Sequence, residues 1–385
     1  MSQQIDDVLT QAVQNGAVPN VVAMIGDQDG VRYTGSAGTL GPDSSEAVDG
    51  DTVFRIMSMT KMIVTAAALQ LVEQGKLDLD RPVADYYPEF ANRKVLTGFD
   101  GDTPQLRDAK RQATVKDLIT HTAGHAYMFF NADLHKWEDV TGYPGILVGT
   151  PEMLDSPLMS DPGTRYEYGI NIDVLAVVIS NITGKRLDEH LRDAILQPLG
   201  MTSTSYHKKD LDQSKITPVQ VHGPDGAWVD SGVDYAQDPT LIPGGHGLYS
   251  TPNDYMKFTR ALLRGGQLDG ARILDQKTVD AAFTNQIGDL DFPAAMPTAD
   301  PGLTADFNAG PGWKWGYGLL LNSADAPGGR RAASGSWAGL CNTHFWIDRT
   351  TGICGGLFSQ TLPFVDPPAF QMYVDFEQAA YASLT

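Results

Sequence analysis

Stretches with strand character lie at both ends of this chain and helical stretches lie between them, so a single sheet forms only if the two termini come together. Near the N-terminus, Val21-Val22-Ala23-Met24-Ile25 reads as a strand, Asp27-Gln28-Asp29-Gly30 as a turn, and Val31-Arg32-Tyr33-Thr34 as the returning strand of a hairpin. Strand character resumes at 317–321, 343–347 and 353–358, the last two joined by a turn at 348–352. An amphipathic helix carrying Ile5, Val8, Leu9 and Val13 precedes the first strand, and a helix over 368–381 follows the last. The pattern predicts an α+β fold: an antiparallel sheet assembled from both termini and flanked by helices, with a mostly helical domain inserted. The expected boundaries are 1–77 together with 191–385 for the sheet domain and 78–190 for the helical one. Helices are expected over 58–73, ended by Gly75, and over 115–120, 173–181 and 187–196. Another is expected over 252–263, capped by Thr251 or Ser250. The Pro/Gly/Asp-rich stretch 289–312 reads as a long loop of the kind that often carries function.

A chain of 385 residues, 42% hydrophobic and 19% charged, has ample core and is too apolar to be disordered. Its formal charge of -19 repels phosphate backbones and anionic headgroups, which argues against nucleic acid as a partner. No apolar run approaches the ~20 residues of a membrane span, and the N-terminus lacks the features of a secretory leader. The chain as written is therefore expected to be cytoplasmic. Cys341 and Cys354, placed in neighbouring strands, are expected to be buried and reduced.

The sharpest chemical signal is Ser58-Met59-Thr60-Lys61 at the start of an Ala-rich helix. One turn separates hydroxyl from amine, so both lie on one face. A serine is a poor nucleophile until a neighbour takes its proton, and a lysine whose pKa burial lowers can do that. The helix start adds N–H groups suited to an oxyanion. A capping serine with a surface lysine is the competing reading of these four residues, and the apolar flank Met59, Met62 and Ile63 weighs against it. A second instance, Ser205-Tyr206-His207-Lys208, lies in a Ser/Thr-rich loop with no apolar helix after it.

The segment Val53-Phe54-Arg55-Ile56-Met57-Ser58-Met59-Thr60-Lys61 resembles the nucleophile region of the serine β-lactamase and penicillin-binding-protein superfamily. Among its branches it is most similar to the class C-like group that includes the family VIII carboxylesterases. Further segments extend the resemblance over nearly the whole chain: 117–124, Asp161-Pro162-Gly163-Thr164-Arg165-Tyr166-Glu167-Tyr168, Pro198-Leu199-Gly200-Met201 and 244–251. The resemblance implies the β-lactamase/DD-peptidase-like fold. It also makes Tyr168, in Tyr168-Gly169-Ile170, the tyrosine beside the nucleophile, sharing a proton network with Lys61, whose ammonium would favour a phenolate. Without the resemblance Tyr168 is an ordinary packed aromatic. Ile170 stands where lactamases carry an amide side chain. Trp337-Ala338-Gly339-Leu340 matches the strand where lactamases carry Lys-Thr-Gly and the esterase branch carries Trp-x-Gly. Losing that cation removes an anchor for a substrate carboxylate and turns preference toward uncharged esters or amides. By the same resemblance the backbone N–H groups of Ser58 and Leu340 form the oxyanion hole, with Gly339 allowing close approach, while Trp337, Ala338 and Gly339 line the substrate site. Tyr127 is either a site-lining tyrosine, bonded to the nucleophile or leaving group, or a loop aromatic. Asp173 is read as a helix-start residue, and Trp313 and Trp315 as acyl-pocket walls or core.

Other chemistries find little support. There is no Gly-x-Ser-x-Gly elbow, no His-Glu-x-x-His, and no phosphate or dinucleotide loop. His121 and His125 are four apart, but Thr122-Ala123-Gly124 makes a poor helix between them. Gly244-Gly245-His246-Gly247 reads as a tight bend against the site. The expectation is a serine carboxylesterase that cleaves small-molecule esters through an acyl-enzyme on Ser58, with no metal and no cofactor. Its alternatives are an amide or β-lactam hydrolase, an acyltransferase, and a penicillin-binding sensor without turnover. Oligomeric state is not written in the sequence.

Overall fold

The computed structural model describes residues 2–383. Helix α1 (Ser2–Gln14) leads into strands β1 (Asn20–Asp27) and β2 (Val31–Gly38), and helices α2 (Thr60–Glu73), α3 (Asn171–Thr183) and α4 (Pro252–Leu263) follow. Strands β3 (Trp313–Trp315), β4 (Leu320–Asn322), β5 (Gly335–Gly339), β6 (Thr343–Asp348) and β7 (Ile353–Phe358) come next, and helix α5 (Pro367–Ala382) closes the fold. The seven strands run in the order β3-β4-β5-β6-β7-β1-β2, antiparallel at each junction. The chain ends meet where β1 pairs with β7, Val22 opposite Phe358 and Ile25 opposite Gly355.

Both faces of this sheet are covered, which is why β1 is apolar at almost every position rather than at alternate ones. Val21, Ala23, Ile25, Trp346 and Leu357 pack with α1 and α5 on one side. Val22, Met24, Phe345, Ile347 and Phe358 share the larger core with α2 and α4 on the other. Trp346 lies opposite Gly355. A Cβ there would come within 2.1 Å of the indole, so the missing side chain makes room for the ring. Helix α2 is buried on nearly every side and runs through the large core.

The fold differs from the sequence expectation in a few places. Of the strand expected at 317–321 only Leu320 and Leu321 are strand, in β4, and the residues before them form the turn from β3, in which Gly316 N–H donates to the Leu319 carbonyl and Gly318 is left-handed. The region between α2 and α3 contains an unexpected hairpin, Lys94–Asp100 with Thr103–Asp108. Its second strand is almost wholly exposed, so it carries no apolar alternation to announce it. Cys354 lies in β7, whereas Cys341 lies in the turn between β5 and β6 because β5 ends at Gly339. Both thiols are free and buried, and burial pushes each up to about 12. Among the described residues no helix is long and apolar enough to cross a membrane.

Candidate active site

Ser58 sits in a single 3-10 turn, Met57–Met59, immediately before α2, rather than in the α-helix itself. The turn is clamped from both ends. Upstream, Phe54 and Arg55 pair with Ser250 and Tyr249, and Ile56 N–H donates to the Leu248 carbonyl at 3.1 Å. Arg55 is anchored by Asp234 at 2.9 Å and by the Thr217 carbonyl at 2.8 Å. Met57 has φ 45, a left-handed conformation that costs a non-glycine residue about 1–3 kcal/mol. The Tyr235 hydroxyl holds it there, accepting from Met57 N–H at 3.1 Å and donating to Met57 Sδ at 3.2 Å. Strain of this kind turns Ser58 out of the helix axis and into the cleft, where its side chain lines the cavity.

Lys61 lies one turn on and is 1% exposed. Its amine donates to Ser58 Oγ at 2.9 Å, to the Tyr127 hydroxyl at 3.1 Å and to the Gly245 carbonyl at 2.8 Å. Burial pulls this amine down to about 7, with Asp173 acting in the opposite direction. Tyr168, from the stretch before α3, brings its ring to 4.8 Å from the amine. Its hydroxyl accepts from the Trp337 indole N–H at 3.1 Å and interacts with the Ser58 hydroxyl. Burial nevertheless pushes the phenol above its usual range, and the two hydrogen bonds only partly offset this. The sequence expectation of a phenolate favoured by the neighbouring ammonium is therefore corrected. At neutral pH the phenol keeps its proton, and of the two groups beside Ser58 it is Lys61 whose pKa lies in reach of neutrality.

The two tyrosine segments lie against each other, with Tyr127 N–H donating to the Tyr168 carbonyl at 2.9 Å. Gly169 permits this contact: a Cβ there would fall 2.4 Å from the His125 carbonyl oxygen. Ile170 points into the core, not the cleft. The amide that follows it, Asn171, is buried in a structural role, donating to His121 Nδ1, the His125 carbonyl and the Glu167 carbonyl. Strand β5 borders the Ser58 turn so closely that a Cβ on Gly339 would sit 2.4 Å from the Ile56 carbonyl oxygen. This brings Leu340 and Ser58 to the wall of one cavity, along with Ala338 and Trp337.

That cavity has a volume of about 690 Å³ and a mostly apolar lining. The long loop contributes Met296, Leu303 and Phe307, so it forms a wall of the site. Trp313 also lines the cleft, whereas Trp315 is core, with its indole bonded to the Ile119 carbonyl at 3.2 Å. Glu138, on the helix Ala132–Thr141, is a carboxyl among these apolar walls, and burial raises it to about 7. The cleft continues past β5 to Tyr373 and Glu377 of α5, an extension that no sequence signal indicated.

Other expected residues are placed elsewhere. In the second Ser-x-x-Lys, Ser205 bonds Asp210 at 3.0 Å and Lys208 bonds Asp234, so both are spent on structure. His121 and His125 are fully buried, and no metal-binding group of three or more ligands occurs among the described residues. Tyr127 meets Lys61 rather than Ser58. The residue sequence reasoning missed is Asp173. It lies in the first turn of α3, as expected, but its side chain is 0% exposed and accepts the Gly245 N–H at 2.8 Å. A buried acid at a helix start is indistinguishable in sequence from an exposed capping one.

A model of the Beta-lactamase family matches residues 5–380. Monacolin J acid methylbutanoyltransferase of Aspergillus terreus is 28% identical, the match covering 98% of this chain and 95% of that protein. Lovastatin esterase of Penicillium rubens is 31% identical, covering 93% of each. Among solved structures, unliganded simvastatin synthase (LovD) from Aspergillus terreus superposes with a TM-score of 0.83 at 26% identity, over 100% of this chain and 99% of that one.

Proposed function

The chain belongs to the Beta-lactamase family, an enzyme of its serine hydrolase and acyltransferase superfamily, and on that premise we propose that it cleaves carboxylic esters through an acyl-enzyme on Ser58. The observation that carries the reading is the Lys61 amine, deep in the protein, held 2.9 Å from the Oγ of Ser58, which lines a large apolar cleft. Neutral Lys61 takes the Ser58 proton as Oγ bonds to the ester carbonyl carbon. The backbone N–H groups of Ser58 and Leu340 receive the oxyanion. As the tetrahedral species collapses, the carbon–oxygen bond to the alcohol breaks and the alcohol leaves with a proton delivered through the Tyr168 phenol, which Lys61 re-protonates. Water then attacks the acyl group with Lys61 as base, releasing a carboxylic acid and restoring Ser58.

Trp337 serves this scheme twice, as an apolar wall and as the donor that steadies the Tyr168 oxygen. Ala338 and Gly339 complete the wall, and Tyr127 holds the amine. Because no lysine occupies the lactamase position on β5, the cleft favours uncharged acyl groups over substrates that need a carboxylate anchor.

A second reading has equal support: transfer of the acyl group to an alcohol instead of water. Relatives named as a methylbutanoyltransferase and an esterase match the whole chain comparably. A cleft of about 690 Å³ also has the volume of sites that take up a drug-sized ligand, which supports an acceptor alcohol as well as an acyl chain. The two differ only in which nucleophile reaches the acyl-enzyme. The test is turnover of p-nitrophenyl acetate and butyrate by the wild type and by Ser58→Ala, with and without a bulky alcohol. Activity of the Ala variant near wild type would eliminate Ser58 as nucleophile, and the ratio of new ester to free acid separates transferase from hydrolase. Intact nitrocefin alongside ester turnover would exclude the lactamase alternative.

A further inference from the structure

We propose that Asp173 is a positioning residue of the acyl-transfer centre: across the Gly245 peptide it fixes the carbonyl that holds the Lys61 amine and supplies the counter-charge that sets the pH range in which that amine accepts the Ser58 proton. The role rests on the reading of Ser58 and Lys61 given above.

The geometry is a three-part bridge. Asp173 Oδ1 accepts the Gly245 N–H at 2.8 Å, and the carbonyl of the same residue accepts from Lys61 Nζ at 2.8 Å. The absence of a side chain at Gly245 permits this approach, because a Cβ there would lie 2.4 Å from Asp173 Oδ2 and 2.8 Å from the Tyr127 hydroxyl. Asp173 Oδ2 has no hydrogen-bond partner among the described residues, although the side chain is wholly buried. An acid in that position carries a heavy desolvation cost and is poorly explained as a helix cap.

The groups packed around the pair leave Lys61 and Asp173 to carry charge. His246, from the glycine-rich bend, places Nδ1 3.8 Å from Asp173 Oδ1, and burial pulls its pKa down to about 3. His121, on the Tyr168 side, is likewise held neutral by burial. Tyr127, Tyr168, Tyr143 and Tyr206 feel the Asp173 charge, and burial drives all four toward the neutral phenol. Burial also raises Asp173 itself, with Lys61 the largest opposing influence and the Gly245 N–H the next. A carboxylate this close to an amine in a low-dielectric interior stabilises the ammonium, so it moves the onset of basic behaviour upward.

The experiment is the pH dependence of the rate at which a fluorophosphonate labels Ser58, followed by mass spectrometry, for wild type and Asp173→Asn. Asparagine keeps an oxygen for the Gly245 N–H, removes the charge and puts an amide NH2 where Oδ2 lay. The acid limb of the profile is expected to move to lower pH by about 1 unit. A folded Asn variant whose limb stays in place, or moves up, would overturn the role. Should that variant not fold, ¹³C-aspartate infrared titration of wild type and Lys61→Met decides the matter. Loss of the amine is expected to raise the midpoint of one buried carboxyl, and unchanged midpoints would overturn the coupling. Failure of wild-type Ser58 to label overturns the functional reading and this role with it, whereas labelling with an unmoved limb overturns only the role of Asp173.

Discussion

Lys61→Met is expected to abolish turnover and at the same time make the protein more stable at neutral pH. Burial lowers the amine from 10.5 to about 7, so the folded state resists the charged form by about 5 kcal/mol. Methionine fills similar space without a charge. Asp173, which burial already raises, takes up a proton once its counter-charge is gone, and against the gain stand the groups the amine now contacts. The Ser58 hydroxyl reaches the cleft, but the Gly245 carbonyl and the Tyr127 hydroxyl are buried, and each left unpaired costs about 1–3 kcal/mol. The two costs together come to about 2–6 kcal/mol, so the net at neutral pH runs from a loss of about 1 to a gain of about 3 kcal/mol, centred on a gain of about 1, which for a chain of 385 residues is a rise in melting temperature of about 1 °C. The sign of the pH dependence is fixed by linkage. Because the folded pKa is depressed, the unfolded chain holds the extra proton between about 7 and 10.5, and wild-type stability rises with pH across that window. The slope from this group is at most about 1.4 kcal/mol per pH unit, and the Met variant lacks it. The advantage of the variant is thus greatest at and below neutrality and shrinks toward alkaline pH. Urea midpoints of both proteins, taken from neutral to alkaline pH, check this. A Met variant less stable at neutral pH by more than about 1 kcal/mol, or a difference between the two that is the same at every pH, would refute the reasoning.

Trp337→Phe keeps an aromatic wall but deletes the N–H that Tyr168 accepts, so kcat/KM for p-nitrophenyl butyrate should fall about 5- to 10-fold, mainly in kcat. A change confined to KM would reduce Trp337 to a wall. Gly339→Ala should cost at least about 100-fold in acylation rate, measured by stopped-flow burst, because its Cβ would meet the Ile56 carbonyl and push Leu340 N–H away from the oxyanion. Arg330→Met strands Glu377, a buried carboxylate whose burial is outweighed by its ion pair with Arg330, and should destabilise by about 3–5 kcal/mol in urea unfolding. In the wild type the folded pKa of Glu377 is depressed, so its contribution is present above the unfolded value of 4.5 and is lost as pH falls toward the folded one. An acid-unfolding midpoint that Arg330→Met leaves unmoved would contradict this.

Much of the architecture was legible because it rests on periodicity. The apolar runs of β1, β6 and β7 and the faces of α1 and α5 are local patterns, and pairing the two ends of the chain follows from the need to bury them. The exposed hairpin at 94–108 was missed because it buries little and so alternates little. The 3-10 turn at Ser58 was missed because Met57 takes up its left-handed strain through Tyr235, a residue far along the chain.

For the site, residue chemistry and a motif resemblance determined which hydroxyl, amine and phenol to look for, since a Ser-x-x-Lys turn is a local fact and the matching segments occur in order along the chain. Only the tertiary structure decided how those groups behave. The desolvation that lowers Lys61 and keeps Tyr168 neutral, the indole that reaches Tyr168, and the carboxylate behind Gly245 all come from side chains brought together from distant stretches. Protonation energies depend on what surrounds a group in three dimensions, and neighbours in sequence do not specify that surrounding.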